Sequence, residues 1–425
     1  MGVGLKPVVL GIVLAASHVS AAVITVGPGG KFDFETIQEA VKAAVHFDEI
    51  VVAPGMYTET VNPRGKRITI RSSSGPDNTI IDGESIRSGI VCMKGETQQT
   101  IFDGFTVQNG RSQQEPGGGG GGGMHLHGAS PQVLNCRFVS NKAGTRGRYY
   151  DTDGAAIMVS IGFPTFTACT FLANTASGMG GGIYGENFSE ITCTDCTFEA
   201  NMAQKGAAVY LTDSSIASFM TCDFTGNAAT WYGGALYALD GCSATFIDCN
   251  LLSNVAYLGG GGIYGQCGDI AIDGGSIRMN VSGLGGGIAM NCGSASINNV
   301  QFGDNDAGSG SDIRIAQNGS GDPLADVSVA GSLFCGSENS IEGPWNDLGG
   351  NIFYGSCEDG ACCSNGICAI IDGATCKLLG GDFRGIGTFC ETEDCPGDCS
   401  ADTDHNGFVG VDDMLDVIDQ WGPCP

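Results

Sequence analysis

Short alternations of apolar and polar residues recur along the middle of the chain at a nearly constant interval. An example is Ala244-Thr-Phe246-Ile247, which has the two-residue period of a β-strand. The recurring pattern is Cys-x-Phe-x-x-Asn, with a Leu variant and two degenerate copies, and the copies begin at Cys136, Cys169, Cys196, Cys222, Cys249, Gly275 and Val300. Successive copies start 33, 27, 26, 27, 26 and 25 residues apart.

A repeat of this length is typical of a stacked architecture, in which one unit cannot bury its own apolar face. Three short strands joined by turns fit one coil of a parallel β-helix, with coils about 4.8 Å apart. We therefore predict an all-β, right-handed parallel β-helix solenoid over residues 22–354, its handedness following the rule for parallel crossovers.

Glycine and asparagine recur at fixed places in each copy. Glycine supplies turns with positive φ, and asparagine tolerates the left-handed region while bonding locally, so we expect the repeated asparagines in turns. The stretch GGGIYG at 180–185 and 260–265 fits the phosphate-binding pattern G-x-G-x-x-G. The residues after the first copy lack helical periodicity, which disfavours nucleotide binding.

Two groups of cysteines align between the copies. The aligned cysteines that open the copies are predicted to face inward as small hydrophobic residues. A second group, Cys242, Cys267 and Cys292, aligns with Ser215 one coil earlier. Stacked Cα atoms lie within disulfide reach, so whether neighbouring cysteines pair stays open.

The N-terminal segment predicts a helix that closes the end of the solenoid. Thr36 and Glu39 form a capping box, and an apolar stripe follows at Ile37, Ala40, Val41, Ala44 and Val45. This segment resembles the entry of pectin-lyase-like β-helix proteins, and Gly55-x-Tyr57-x-Glu59 is similar to pectin methylesterases. The later motifs with the methylesterase aspartates are absent, so the resemblance implies the fold and not that activity. The central repeats resemble adhesins of the polymorphic outer-membrane type.

The N-terminal residues and the composition indicate where the protein is located and which partners it could bind. Residues 1–21 contain Lys6, an apolar run over 7–16 and then small residues, which predicts a secretory signal peptide and a secreted or surface location. No later run predicts a membrane span. Twenty cysteines in an exported chain indicate mainly disulfides. The net charge of −27 excludes nucleic acid as a partner, because that needs clustered basic residues.

Two small modules follow the repeats. Residues 357–396 resemble a cysteine-rich module of secreted bacterial proteins, whose six cysteines leave the pairing open. Residues 397–425 have the ligand spacing of an EF-hand-like Ca²⁺ loop followed by a helix. The expected ligands are Asp402, Asp404, Asn406, the Phe408 carbonyl and Asp413. The loop resembles one repeat of a type I dockerin, which implies a cohesin-like partner, although a dockerin has two such loops.

Candidate chemistry concentrates in the 33-residue coil, the single long insertion between copies. Its side chains could hold a sugar and exchange protons, and the candidate catalytic residues are Arg146, Arg148, Tyr150 and Asp151. The segment with His125 and His127 just before it is expected to form a flexible polar loop. An ordinary charged surface loop is the alternative interpretation.

Asp213 and Asp240 align one coil apart. They form either an acidic pair on neighbouring strands or a row of solvated turn residues.

Two functions stay open. One is a secreted protein that binds or degrades extracellular polysaccharide, as a lyase or a glycoside hydrolase. The other is a non-catalytic adhesin or structural protein that contacts cell-surface glycan. The acidic balance disfavours a polyanionic glycan unless Ca²⁺ bridges it.

Overall fold

The chain forms a parallel β-helix, as predicted. The computed structural model describes residues 21–115, 118–144, 153–317, 324–335, 340–354, 359–364, 367–372, 376–377 and 382–386. Stacked parallel strands extend from Val23 to Tyr354. Within the described residues, no helix is long and apolar enough to cross a membrane.

The bounds of the elements are as follows. The helix is α1 (Ile37–Ala43). The strands of the first half are β1 (Val23–Val26), β2 (Glu49–Val52), β3 (Gly55–Tyr57), β4 (Thr69–Ser72), β5 (Thr79–Asp82), β6 (Ile90–Cys92), β7 (Ile101–Asp103), β8 (Thr106–Gln108), β9 (Gln113–Glu115), β10 (Gly118–Gly120), β11 (Met124–His127), β12 (Gln132–Leu134), β13 (Arg137–Val139), β14 (Lys142–Ala143), β15 (Ile157–Ser160), β16 (Thr165–Thr167), β17 (Thr170–Leu172), β18 (Thr175–Ala176), β19 (Ile183–Glu186), β20 (Glu190–Thr194), β21 (Thr197–Glu199) and β22 (Met202–Lys205). Those of the second half are β23 (Val209–Leu211), β24 (Ile216–Met220), β25 (Asp223–Thr225), β26 (Ala228–Tyr232), β27 (Leu236–Ala238), β28 (Ser243–Ile247), β29 (Asn250–Leu252), β30 (Val255–Ala256), β31 (Ile263–Asp273), β32 (Ser276–Arg278), β33 (Val281–Ser282), β34 (Ile288–Asn298), β35 (Gln301–Gly303), β36 (Asp306–Ala307), β37 (Ile313–Ile315), β38 (Ala325–Ala330), β39 (Leu333–Cys335), β40 (Ile341–Glu342), β41 (Asn346–Asp347), β42 (Ile352–Tyr354), β43 (Asp359–Ser364), β44 (Ile367–Asp372) and β45 (Asp382–Ile386).

Three parallel sheets wrap the core. The large sheet has 21 strands, and each central coil contributes two segments to it, such as β19 and β20. The second sheet has 12 strands, from β3 to β42, and the third has seven, from β14 to β36. Strands β43, β44 and β45 form a separate antiparallel sheet within the cysteine-rich segment.

The second sheet confirms the sequence alignment of the copies. The repeated phenylalanines are register partners from coil to coil, so Phe171 lies between Phe138 and Phe198, and Phe198 pairs with Phe224. The ring centroids of Phe198 lie 4.5 Å from Phe171 and 4.6 Å from Phe224, with nearly parallel planes. These rings are fully buried, and their stack forms the centre of the apolar core.

The repeated asparagines have a different role from the predicted one. The residue before each of them takes the left-handed conformation, for example Ala173 and Ala200, with φ of 54° and 52°. The asparagines themselves are buried and bond from coil to coil. The Nδ2 atom of each donates to the Oδ1 atom of the next, along Asn141, Asn174, Asn201, Asn227, Asn254, Asn280 and Asn305. We call this series the asparagine ladder.

The ladder ends on a buried carboxyl group. Asn305 Nδ2 donates to Asp312 Oδ1 at 2.7 Å, and the Asp312 side chain is 2 % exposed. Burial raises the pKa of Asp312 to about 6, because it disfavours the charged form more than the hydrogen bond from Asn305 favours it. Ionisation of Asp312 therefore destabilises the folded state.

Asp312→Asn should stabilise the protein at pH 7.5 and change little at pH 4. The folded pKa lies above the unfolded value, so the contribution to stability is fully present below the unfolded pKa and is lost as the pH rises through about 6. The rise in the pKa of Asp312 to about 6 corresponds to ~3 kcal/mol in the free energy of unfolding. Urea unfolding of both proteins at pH 4 and pH 7.5 measures it, with the exposed Asp306→Asn as control. An equal pH dependence in Asp312→Asn and the native protein would contradict the assignment.

The stretch GGGIYG is a turn followed by a strand. Gly180 has a φ of +65°, and β19 begins three residues later. A Cβ atom on Gly181 would lie 2.6 Å from the carbonyl oxygen of Ala207 in the next coil, so only glycine permits this approach. No helix follows, which agrees with the rejection of a nucleotide site.

Helix α1 closes the N-terminal end, and its first turn is held by one hydroxyl group and one carboxylate. The Thr36 hydroxyl accepts a hydrogen bond from Glu39 N at 3.2 Å, which confirms the capping box. Glu59 accepts from Ile37 N and Gln38 N, both at 2.8 Å. The Gly-x-Tyr-x-Glu stretch thus serves the cap in this chain. Val45 does not belong to the apolar stripe, because it follows the end of the helix and is 52 % exposed.

The first group of aligned cysteines faces inward, as predicted. All five are buried with free thiols: Cys136, Cys169, Cys196, Cys222 and Cys249. In the second group, Cys267 and Cys292 form a disulfide across two successive coils, with Cα atoms 4.1 Å apart. Cys242 is buried and free.

Candidate functional site

The outer face of the large sheet carries a column of stacked tyrosines. In β19, β23, β27 and β31 the residue after the buried aliphatic one points away from the core, and these residues are Tyr184, Tyr210, Tyr237 and Tyr264. Successive ring centroids lie 5.5, 5.1 and 5.3 Å apart. We call this series the tyrosine column.

The tyrosine column is covered rather than open. Tyr210 and Tyr237 are only 4 % and 2 % exposed, and the cluster includes Met179 and Tyr232, the last residue of β26. Lys205 Nζ lies 5.1 Å from the Tyr237 ring centroid, a cation–π contact. Burial raises the pKa of Tyr264 to about 12, so these hydroxyls stay protonated. The column gives a rigid, neutral wall.

Glu186 lies at one end of this wall, two residues after Tyr184 on the same outward face of β19. Ser160 is its register partner in the preceding coil. Asn187 Nδ2 donates to Glu186 Oε1 at 2.9 Å and to Ser160 Oγ at 3.1 Å. Asn187 therefore connects this half-buried carboxyl group to Ser160.

The environment of Glu186 favours its protonated form. Burial raises the pKa of Glu186, the nearby charge of Asp213 raises it further, and the hydrogen bonds from its neighbours oppose this. Asp213 lies in the next coil, where its carbonyl oxygen accepts a hydrogen bond from Phe188 N at 2.9 Å. Asp213 is exposed, so the two carboxylates lie in unlike environments. In many active sites, unlike environments give two carboxyl groups different pKa values, so that one acts as an acid and the other stays ionised.

Exposed apolar side chains lie in the segments that follow β15 and β19. Phe188 is 71 % exposed, and Phe163, in the preceding coil, is 50 % exposed. Ile161 and Phe188 have φ of 55° and 60°, a conformation that costs free energy for such residues. Aromatic surface with a few oriented polar groups is typical of sites for small molecules and sugars.

The predicted catalytic residues Arg146, Arg148, Tyr150 and Asp151 lie outside the described residues. The structure does place the ends of their insertion. Gly144 follows β14, and Asp153 Oδ1 accepts a hydrogen bond from Met179 N at 2.6 Å. The charge of Asp153 contributes to the raised pKa of Tyr184 and of Tyr210. The insertion thus returns to the coil beside the tyrosine column.

The structure describes the predicted pair of aspartates but not the predicted calcium ligands. Asp213 and Asp240 both lie in exposed turns. The calcium ligands Asp402, Asp404, Asn406, Phe408 and Asp413 lie outside the described part of the chain. Among the residues that the structure does describe, no group of three or more His, Cys, Asp or Glu side chains is placed to hold a metal ion.

The predicted polar loop around the two histidines is wrong. Met124–His127 is strand β11 of the large sheet, and His125 is fully buried. The alternation of Met124 and Leu126 with the two histidines was the signal for this strand. The neighbouring run of glycines concealed it.

A surface depression beside α1 offers less chemistry than the Glu186 surface. Its charged lining residues stabilise the cap: Asp33 Oδ2 accepts hydrogen bonds from Thr25 at 2.7 and 2.8 Å, and Glu39 accepts from Thr36. Two of its carboxylates, Asp33 and Glu39, are thus already engaged in structural hydrogen bonds.

Comparison with known families agrees with the fold and with its predicted hand. The family model described as "Right handed beta helix region" matches residues 58–251. This range includes the Glu186 surface. The comparison with curated proteins finds no match.

Solved structures with similar folds include enzymes that act on polysaccharides. A pectin methylesterase from carrot is 13 % identical, with 80 % of this chain and 89 % of that one covered and a TM-score of 0.36. The catalytic domain of a GH87 alpha-1,3-glucanase in complex with tetrasaccharides is 11 % identical, with coverages of 78 % and 69 % and a TM-score of 0.39. A PL6 family polysaccharide lyase from Pseudopedobacter saltans is 10 % identical, with coverages of 74 % and 90 % and a TM-score of 0.34. At this level of similarity we transfer no residue role from them.

Proposed function

We propose that this is a secreted protein that binds an extracellular polysaccharide on the outer face of the large sheet and hydrolyses it at Glu186. The observation that carries the proposal is the Glu186 carboxyl group, half-buried and hydrogen-bonded by Asn187, which also donates to Ser160. Its raised pKa suits a general acid that protonates the leaving oxygen of a glycosidic bond. Asp213, exposed in the next coil, serves in this proposal as the second carboxylate that such hydrolysis requires.

Hydrolysis fits these groups better than a lyase reaction. A lyase reaction on a uronate begins with removal of a proton by a base, whereas Glu186 lies in an environment that keeps its own proton. Asp153 and Asp213 add negative charge near the same wall. A uronate polymer would be repelled there, so we infer that the glycan is neutral. Incubation of the purified protein with neutral and acidic polysaccharides, with reducing ends and retention as readouts, tests this function.

The 33-residue coil supplies the second part of the site in this proposal. Arg146, Arg148, Tyr150 and Asp151 belong to the insertion whose ends lie beside the tyrosine column, and we expect them to hold the sugar chain. Replacing all four by alanine should weaken glycan binding at least ~10-fold, because each lost hydrogen bond to a charged group contributes about 1.5–3 kcal/mol. Affinity electrophoresis measures the change. Unchanged retention and turnover would remove these residues from the site.

The C-terminal loop is proposed to bind one Ca²⁺. Asp402→Ala should abolish that binding, because the loop loses its first charged ligand and has few others. Isothermal titration of the full chain with Ca²⁺ measures it, and Asp394→Ala, which lies before the loop in the sequence, is the matched control. Equal binding in Asp402→Ala and the native protein would exclude the site. In this proposal the loop attaches the enzyme to a cohesin-like partner.

A non-catalytic adhesin is the second candidate, and the regularity of the coils favours it. The phenylalanine stack and the asparagine ladder continue with little change through the central coils, as in a rigid spacer. An adhesin would retain glycan without producing new reducing ends. The two functions therefore separate in a single assay.

A further inference from the structure

Two unpaired nitrogen atoms lie buried on strand β11. His125 Nε2 and His127 Nδ1 have no hydrogen-bond partner and no exposed surface. A buried polar atom without a partner costs about 1–3 kcal/mol, so each such atom in a native structure needs a reason. His125 is 0 % exposed as a whole residue.

The other nitrogen of His125 is engaged in the way that metal-binding histidines show. His125 Nδ1 lies 3.2 Å from the carbonyl oxygen of Gly120, and in that contact the N–H group donates to the carbonyl. This tautomer leaves Nε2 with a free lone pair. Histidines that bind metals typically donate their second N–H to a backbone carbonyl or a carboxylate, which fixes the ring.

A thioether lies beside the same histidine. Met158 is the register partner of His125 in the next coil and is 3 % exposed. Both side chains leave the same face of the large sheet, where neighbouring strands lie about 4.8 Å apart. His127 leaves that face two residues further along β11. Two imidazoles and a sulfur atom are therefore neighbours on this face.

Gly120, the last residue of β10, packs against two of these side chains. Its carbonyl oxygen is the one that contacts His125 Nδ1, and a Cβ atom on it would collide with the Met158 sulfur. Only glycine lets the backbone lie this close to Met158.

The donor atoms decide which metal fits. No described group of three or more His, Cys, Asp or Glu side chains could hold a metal here, which argues against zinc and calcium. Imidazole suits several transition metals, and a thioether selects Cu(I) among them. We propose that His125, His127 and Met158 form a binding site for Cu(I) beside Gly120, adjoining the Glu186 surface, because Ser160 and Tyr184 are the register partners of His127 and Met158.

The test is a titration of the full-length protein with Cu(I) against the chromophoric chelator bicinchoninate, without oxygen and after N-ethylmaleimide has blocked accessible thiols. The native protein should bind one Cu(I) that His125→Ala does not bind. Met158→Leu keeps the volume and the fold, and should weaken binding at least ~10–100-fold, the loss that even a supporting group causes. The exposed His46→Ala is the matched control and should bind normally.

X-ray absorption of the copper complex should show both nitrogen and sulfur ligands. Circular dichroism and thermal unfolding of each variant separate loss of a ligand from loss of the fold. Unchanged Cu(I) binding in both His125→Ala and Met158→Leu would overturn the proposal. So would copper bound by sulfur alone, or preferential binding of Zn²⁺ that Met158→Leu retains.

Discussion

Replacing Asn201 by alanine should destabilise the β-helix by about 3–5 kcal/mol, the largest effect that we expect from one polar residue. The Asn201 Nδ2 atom donates to Phe171 O at 2.9 Å and to Asn227 Oδ1 at 2.9 Å. Its Oδ1 atom accepts from Asn174 N at 3.1 Å and from Asn174 Nδ2 at 3.0 Å. Four hydrogen bonds disappear together, and all partners are buried.

The physical reason is the cost of the groups left behind. The change deprives Phe171 O, Asn174 N and one hydrogen of Asn174 Nδ2 of this partner. A buried group without a partner costs about 1–3 kcal/mol, and the groups lie too close together for their effects to add fully. Chemical unfolding measures the loss. The matched control is Asn250→Ala, an exposed asparagine whose amide donates only to Asp223 Oδ1 at 3.0 Å.

Asn250→Ala should change the free energy of unfolding by less than ~0.5 kcal/mol, because surface substitutions rarely do more. An equal effect of the two substitutions would mean that the ladder adds nothing beyond an ordinary surface hydrogen bond.

Glu186→Gln should lower glycan turnover by about 10²–10⁴-fold, the contribution typical of a general acid. Glutamine keeps the shape and can keep the contact with Asn187, so binding should persist. The native activity should fall as the pH rises through the raised pKa of Glu186, because only the protonated form acts as an acid. The variant should lose that dependence.

Glu190→Gln is the matched control for this prediction. Glu190 is exposed and begins β20, four residues after Glu186 on the same coil. It should keep turnover within about twofold of the native protein, since a distant surface charge changes mainly the encounter rate. Equal losses in the two variants would show that charge on this face matters and that Glu186 has no special role.

The fold was readable from the sequence because its signal is periodic. The Cys-x-Phe-x-x-Asn alignment places Phe171 and Phe198 in the same column, and the structure has them as register partners. The inward cysteines follow from the same alignment. The capping box at Thr36 was readable because it is local.

The role of the asparagines was not readable in the same way. A repeated asparagine at the end of a strand fits a left-handed turn as well as an inward ladder. The difference depends on which way one residue points, and Ala200 takes the turn conformation in place of Asn201.

The Glu186 surface was missed because its neighbours are distant in the sequence. Ser160 and Asn187 are 27 residues apart, and their contact exists only after the coils stack. The repeated tyrosines at 184, 210, 237 and 264 were visible in the pattern. Their outward direction could have been inferred from the strand alternation after the buried Ile183.

The most direct test of the proposed function is a polysaccharide panel screened with the native protein and with Glu186→Gln side by side. The panel includes neutral glucans and xylans and acidic pectates and alginates, each with and without Ca²⁺, and the readouts are retention and new reducing ends. We predict that at least one neutral glycan is retained by both proteins and cleaved only by the native one. Retention of no glycan by the native protein, or equal cleavage by Glu186→Gln, would contradict the account.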